Sequence, residues 1–349
     1  MKICLISNLY PPNVLGGAEV SVKKVSEELA KRGHEVIVIT TPFNENKINV
    51  INRVKIYEIN PLNIYRVYEH PHKSVLLKPL WHIIDLWNPY DNSIITKILK
   101  TENPDIVHIH NFKGLSISSF ASAKKLNIPI VFTAHDYSLI CMRANLLNSS
   151  GKICENPAAL CKVYNHIQKQ LVKNKPDLLV SPSQFVIDKL TSNGLFENVK
   201  HKKIPLGIEL NRNQKVEKNY SPVDILYAGN LGEHKGVHIL LNAFMQIKND
   251  NIRLHIVGKG DCEEKLKIMV KNDNRIIFHG FLEGKKLSQM YERANLTVVP
   301  SIWYDNSPMV IYESFSCRTP VIGSKIGGIP ELIEDGFNGY LFEAGNVNE

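Results

Sequence analysis

The sequence has no apolar run approaching the ~18–20 residues that a membrane-spanning helix needs, no short-period repeat and no low-complexity tract. Its opening apolar run, Ile3-Cys4-Leu5-Ile6, is too short for the core of a secretory signal, and Tyr10-Pro11-Pro12 follows without a small-residue cleavage site. A cytoplasmic protein is the expectation. Cysteine is scarce: six thiols lie in 349 residues, with no Cys-x-x-Cys pair. That argues against a disulfide-stapled scaffold. Cys141, Cys154 and Cys161 share one stretch but are read as reduced, packed thiols and not as zinc ligands. Also lacking is an Asp-x-Asp pair to hold a divalent cation, so no metal is expected. No helix clusters Arg and Lys with base-reading side chains, which sets nucleic-acid binding aside.

What is present is length for two domains, with apolar (44%) and charged (22%) fractions at the globular average. The net charge of +8 is unevenly placed. Residues 1–200 hold 24 Lys and Arg against 16 Asp and Glu, whereas residues 201–349 hold 18 of each. A basic first half suits an anionic surface such as lipid headgroups.

Short apolar runs alternate with amphipathic stretches, the pattern of parallel βαβ units. Lys2–Ser7 reads as a buried strand and Gly16-Gly17 as a loop; Ala18, Val22, Val25 and Leu29 then recur at helical spacing until Gly33. Further strands are expected at Val36–Thr40, Ile106–Ile109, Ile130–Thr133 and Leu178–Ser181, with a hairpin near Asn49–Ile59. The rest of the stretch from Asn44 to Asn103 is aromatic-rich and blurred. A polar linker over 206–222 separates an N-terminal domain, 1–205, from a C-terminal one, 223–349, whose strands fall at Ile225–Ala228, Leu254–Val257, Ile276–Phe278, Leu296–Val299, Val321–Gly323 and Tyr340–Phe342.

The densest chemistry lies between Pro300 and Glu313. A strand ends at Val299, and Ser307-Pro308 reads as an N-cap followed by proline at the first helical position. A helix N-terminus at the carboxyl edge of the sheet favours a phosphate. Asp305 and Glu313 flank it, and two carboxylates beside an anion site need hydroxyl donors, which a sugar and a ribose supply. His108 and His110 alternate along one strand and share a face, as cleft wall or core.

Asp305-x7-Glu313, Ser314–Ser324 and Gly327-Gly328-Ile329-Pro330-Glu331 together resemble glycosyltransferase family 4. The resemblance implies a GT-B fold, α/β with two Rossmann-like domains facing a cleft, and sugar transfer with retention of configuration. It makes Asp305, in place of the family's glutamate, the holder of donor-sugar hydroxyls, and Glu313 the holder of the ribose. Asn306 and Ser307 fall in the same donor-binding loop. Gly16 and Gly17, before Ala18-Glu19, resemble the family's N-terminal glycine loop against the donor phosphates, and Ala134-His135-Asp136 its sugar-contacting histidine. The run from Gly229 through Asn230 and Lys235 to Gly236 resembles the phosphate loop; Lys235 pairs with the diphosphate, and Asn230 stands where the family has arginine. Val257-Gly258-Lys259-Gly260 and His279-Gly280-Phe281 resemble strand ends lining the base.

The resemblance implies no cofactor beyond the nucleotide-diphosphate sugar and no required metal, since Lys235 carries the charge work. The acceptor is expected to be a sugar or a lipid-linked molecule, and the basic half to touch an anionic membrane, with polysaccharide or glycolipid synthesis as the setting. A nucleotide-sugar epimerase on the same fold and a non-catalytic sugar-nucleotide-binding subunit stay open as alternatives. The chain stops soon after Phe342, where the family continues into further helices, so a truncated second domain is expected.

Overall fold

The computed structural model describes residues 1–14, 16–42, 45–74, 76–208 and 218–349. They divide into two compact units, one of Met1–Asn145 with Asn156–Pro205 and one of Leu146–Glu155 with Leu206–Glu349. The expected partition puts 146–155 in the first domain; the structure groups that loop, closed by a bridge between Leu147 and Ile153, with the second. Within the expected linker, 209–217 lie outside the described residues.

In the first unit β1 (Lys2–Ile6), α1 (Gly17–Lys31) and β2 (Glu35–Thr40) form the opening βαβ, followed by the hairpin β3 (Lys47–Ile51) and β4 (Val54–Glu58). A 3-10 turn at Val67–His72, α2 (Lys78–Leu86) and α3 (Pro89–Glu102) lead to β5 (Ile106–Ile109), α4 (Ser118–Lys125) and β6 (Ile130–Thr133). The unit ends with α5 (Ala159–Val172), β7 (Leu178–Ser181), α6 (Gln184–Ser192) and β8 (Lys200–Lys203). The sheet runs β3-β4-β2-β1-β5-β6-β7-β8, parallel throughout except for β3 against β4. Helices cover both faces of such a sheet, so Val36 to Ile39 are buried without alternation. Val22 and Ala30 of α1, with Val25 and Leu29, close over Ile3, Leu5, Val36 and Val38. Gly33 at φ +86° lets the chain turn off α1, as the periodicity predicts.

The second unit is simpler. Its elements are β9 (Val223–Ala228), α7 (Val237–Gln246), β10 (Ile252–Val257), α8 (Glu263–Met269), β11 (Ile276–Gly280), α9 (Gly284–Arg293), β12 (Leu296–Val299), α10 (Met309–Ser316), β13 (Val321–Ser324) and β14 (Gly339–Phe342). All pairings are parallel, in the order β11-β10-β9-β12-β13-β14. That is the doubly wound order third-second-first-fourth-fifth-sixth, whose direction reverses between β9 and β12. The first unit reverses likewise between β1 and β5. Ligands of open α/β sheets sit outside the carboxyl ends of the strands at such a reversal.

Two features depart from the sequence-based expectation. β8 carries Lys-His-Lys-Lys with every side chain exposed, so no apolar signal marks it; its charges suit an edge strand. The helix of the Pro300–Glu313 stretch starts one residue late. Pro308, not Ser307, is its N-cap, with Met309 the first helical residue. Ser307 instead joins its hydroxyl to Tyr312 Oη at 2.7 Å, which takes its side chain away from the orphan backbone donors.

Candidate functional site

At the reversal point of the second unit two loops meet. One runs from Gly229 to Gly236 after β9, the other from Pro300 to Pro308 after β12. Their backbones touch: a Cβ on Gly236, which sits at φ +69°, would lie 1.8 Å from the carbonyl oxygen of Pro300. Only glycine fits there, and the contact brings Lys235 to Asp305. Lys235 Nζ donates to Asp305 Oδ2 at 2.6 Å, in a pair whose lysine is 23% exposed. The same oxygen accepts from Ser301 Oγ (3.2 Å) and from the indole N–H of Trp303 (3.3 Å). The ammonium also lies 4.9 Å from the centroid of the Trp303 ring, against which His234 packs edge-on.

Asp305 is fixed from behind. Gly328 N–H donates to its carbonyl at 2.8 Å, and Gly327, at φ +60°, leaves no room for a Cβ within 2.3 Å of that carbonyl oxygen. The Gly327-Gly328 motif therefore has a physical task here, to clasp the backbone of the acid. Lys235 keeps donor capacity beyond its bond to Asp305, since an ammonium carries three N–H groups. A partly exposed cation with spare donors at a sheet reversal has the charge and the hydrogen-bonding capacity to receive an anion.

Glu313 lies on α10, where its Oε2 accepts from Tyr291 Oη of α9 at 2.8 Å. Tyr291 is 2% exposed, and burial first, then the nearby carboxylate, raise its phenol well above the ordinary range, so it stays a hydrogen-bond donor. Motif spacing does not reveal Tyr291; it belongs to a helix earlier in the chain and reaches Glu313 only through packing. The other predicted residues ring the same sheet edge. Gly229 N–H bonds the Val257 carbonyl and Gly258 N–H the Gly280 carbonyl. Phe281 beyond β11 is 61% exposed. Asn230 is exposed and serves the loop by its backbone, its carbonyl accepting from Tyr227 Oη at 2.7 Å. Asn306 and Ser307 are buried next to Asp305 in sequence.

In the first unit the reversal point is built from side chains. Gly16 caps α1 with extended backbone, and its N–H donates to Glu19 Oε2 at 2.8 Å; Gly17 is the first helical residue. Asn111, just past β5, reaches Glu19 Oε1 at 3.5 Å. His135, just past β6, shares a hydrogen bond between its Nε2 and Nδ1 of His110 at 2.9 Å, and the His108 ring lies tilted against that of His110 with centroids 4.0 Å apart. Burial lowers His108 and His135 to about 4 and His110 well below its usual value, so the row is neutral at neutral pH. The shared face of His108 and His110 is legible in the alternation. Their link to His135 on the next strand is not.

Beside this row lies a pocket of about 250 Å³ whose lining includes Asn8, Glu19, Asn111 and Asp136. One wall comes from the unplaced stretch before Asn103: Val67, His70, Trp81 and His82. Lys113 also lines it, its Nζ donating to the Met142 carbonyl at 2.6 Å. Asp85 of α2 holds the loop that carries Lys113 by accepting from the N–H groups of Gly114 (2.7 Å) and Ser116 (3.2 Å), and burial raises its carboxyl to about 7. Among the described residues no three His, Cys, Asp or Glu side chains are grouped to hold a metal ion, and Cys141, Cys154 and Cys161 are not joined in disulfides.

Comparison with known proteins agrees over both units. The family model described as Glycosyltransferase Family 4 matches residues 15–212, and that described as Glycosyl transferases group 1 matches residues 209–349. A 42.6 kDa protein in the cps region of Klebsiella pneumoniae is 27% identical over 350 residues, covering 98% of this chain and 90% of its own. The GDP-mannose-dependent alpha-mannosyltransferase of Corynebacterium glutamicum is 27% identical over 360 residues, covering 100% of this chain and 78% of its own. Among solved structures, Alr3699/HepE of Anabaena in complex with UDP superposes with a TM-score of 0.69 at 18% identity, covering 100% of this chain and 87% of its own. At that identity the likeness speaks for the fold, which is GT-B.

Proposed function

This chain belongs to glycosyltransferase family 4, and on that premise we propose that it is a retaining enzyme moving a sugar from a nucleoside-diphosphate sugar to a hydroxyl acceptor. One observation carries the reading: the partly exposed Lys235 ammonium, paired with the buried Asp305 carboxylate at the reversal point of the second sheet. Lys235 would bind the diphosphate and stabilise the charge that gathers on it as the sugar–oxygen bond breaks. Asp305 aims Lys235 through Oδ2 and has a second oxygen to accept a sugar hydroxyl. Glu313, oriented by Tyr291, would accept from the ribose hydroxyls.

Transfer with retention would proceed by attack of the acceptor oxygen on the face the diphosphate leaves. The acceptor's proton passes to the departing phosphate oxygen, the new glycosidic bond forms and the old one breaks. Lys235 supplies the cation for this step, so no divalent metal is required. Gly16, Gly17 and His135 keep the roles the family motifs suggest, toward the donor's phosphates and sugar. The pocket beside Trp81 and Lys113 supports an acceptor bound through the first unit, a sugar or a lipid-linked one. Polysaccharide or glycolipid synthesis, with the basic half against an anionic membrane, is the setting proposed.

The Anabaena protein was solved with UDP, which makes UDP the first probe. Calorimetric titration with UDP, GDP, ADP and dTDP should show one that binds, with binding weakened at least tenfold in Glu313→Ala. Absence of binding to all four would overturn the donor site.

A further inference from the structure

Residues 62–90 together with α5 carry a surface that sugar transfer does not use. Leu76, Leu80, Ile83 and Trp87 are all exposed, at spacings of four, three and four residues, which places them along one side of α2 and its ends. Leu76 is 89% exposed and Ile83 61%. The opposite side of the same helix is filled by the buried Trp81, His82 and Asp85. An amphipathic helix spends its second face on polar residues; α2 does not. The patch extends into the preceding loop, where Leu62 and Ile64 are exposed and where Asn88 and Asn63 tie the loop to α2 through the carbonyls of Leu62 (2.8 Å) and Trp81 (3.2 Å). Among the described residues, eight of the 23 exposed large apolar side chains fall within 62–90, too dense a cluster for the scattered exposure of an ordinary surface.

Helix α5 is the neighbour of α2, with Tyr164 edge-on to His82 at 5.8 Å between ring centroids. It exposes Leu160, Val163 and Ile167, again on one side. From residue 156 to 176 there is no Asp or Glu, while Lys162, Lys169, Lys173 and Lys175 punctuate the same stretch. The excess of eight positive charges in the chain lies wholly within residues 1–200.

We propose that the outer faces of α2 and α5 form a docking surface for an anionic lipid bilayer, on which the first unit lies with Leu76, Leu80, Ile83 and Trp87 in the headgroup–acyl boundary and the α5 lysines against the headgroups. An apolar stripe rimmed by cations suits an interface that is greasy below and negative above. Charge decides against a second copy as the occupant, because a two-fold contact would set the same acid-free row of lysines against itself. No described helix is long and apolar enough to cross a membrane, so the contact is one of surface binding. The assignment gives the proposed membrane setting a definite face and does not depend on the donor site.

The test is co-sedimentation of the full chain with vesicles of phosphatidylglycerol and phosphatidylcholine, against phosphatidylcholine alone, at low and high salt. Binding to the anionic vesicles is expected, at least tenfold weaker in Leu80→Asp/Ile83→Asp and much reduced by salt in the parent chain. Lys162→Glu/Lys173→Glu should weaken binding and flatten the salt dependence. If the aspartate variant unfolds, the lysine variant, on the exposed side of α5, decides alone. No binding at low salt, or binding that neither double variant weakens, would overturn the proposal. So would a dimer in solution that Leu80→Asp/Ile83→Asp converts to monomer without any vesicle binding. Vesicle binding in a chain that takes up no nucleoside diphosphate would sink the donor reading and leave this one standing.

Discussion

The two sheet-reversal points of the molecule solve one problem by different means. In the second unit the site is a backbone construction. Loops press together where glycine alone fits, and the side chains that result, Lys235 and Asp305, form an ion pair. In the first unit the equivalent place is a side-chain construction, a row of three neutral imidazoles and an aromatic-walled pocket, closed by residues drawn from far along the chain. A charged, rigid cradle is suited to an invariant ligand part such as a diphosphate. A neutral, side-chain-lined pocket can be re-lined without disturbing a backbone, which suits a partner that differs from one transferase to the next.

The widest separation of the two should come from acid. In the first unit burial lowers His70, His108 and His135 to about 4 and His82 to about 2, with His110 also well down. Groups whose folded value is depressed in this way stay neutral while the unfolded chain protonates, so stability is lost as pH falls below the ordinary histidine value of ~6.5. Asp85, raised to about 7, and Asp91, raised to about 6, act oppositely, because the folded state takes up their protons first. Five depressed histidines outweigh the two raised aspartates, so on balance unfolding of the first unit takes up protons as pH falls below ~6.5. Amide exchange followed by mass spectrometry should show the first unit opening with acid before the second. Equal acid lability of the two units would break the contrast.

Next in size is the charge itself. Lys235→Ala removes the cation proposed to meet the leaving group, and kcat/KM should fall by about 10²–10³-fold. His135→Gln replaces a neutral donor or acceptor by another and should cost about tenfold or less. Steady-state kinetics on the two variants would measure the ratio, and comparable losses would mean that the first unit does electrostatic work as well.

The glycines offer a smaller and cleaner comparison. Gly327→Ala meets both a left-handed φ and the Asp305 backbone at 2.3 Å, and should cost about 2–3 kcal/mol. Gly16 is extended, with nothing nearer than Glu19 Oε2 at 3.8 Å, so Gly16→Ser should stay within about 0.5 kcal/mol of the parent. Denaturant midpoints of the two variants settle it; a large loss at Gly16 would show that its loop is as backbone-tight as that of the second unit.

The same contrast explains what was legible in the sequence. The strands of the second unit and the Asp305–Glu313 stretch stand out because the constraint is local: a glycine, a proline and an acid within a few residues. In the first unit β1, β2, β5, β6 and β7 are equally clear from their apolar runs, and the hairpin β3–β4 falls where alternation puts it. The wall of the pocket is not clear, because α2 turns the polar His82 and Asp85 inward beside Trp81 and leaves Leu80 and Ile83 outside, the reverse of the pattern that marks a core-facing helix. β8 escapes for the opposite reason, having no apolar residue at all. Pairings between distant residues, Glu19 with Asn111 and His110 with His135, leave no trace in spacing. The Ser307 cap fails because a hydroxyl with Tyr312 in reach has a better partner than the helix end.

Tyr291 is the place where a long-range side-chain contact enters the backbone-built site, and its removal should have a small effect on binding. Tyr291→Phe keeps the buried ring and removes only the hydroxyl that donates to Glu313 Oε2. A net hydrogen bond of ~0.5–1.5 kcal/mol corresponds to a loss of roughly 3–10-fold in nucleotide affinity, with the fold intact. If Glu313 works by accepting from the ribose, that loss should vanish in a Glu313→Ala background, since the tyrosine then has nothing to orient. A double-mutant cycle by calorimetry, built on a nucleotide tight enough to measure in all four proteins, reads this coupling directly. Additive losses would mean that Tyr291 acts through packing, and that the second site is held by its backbone alone.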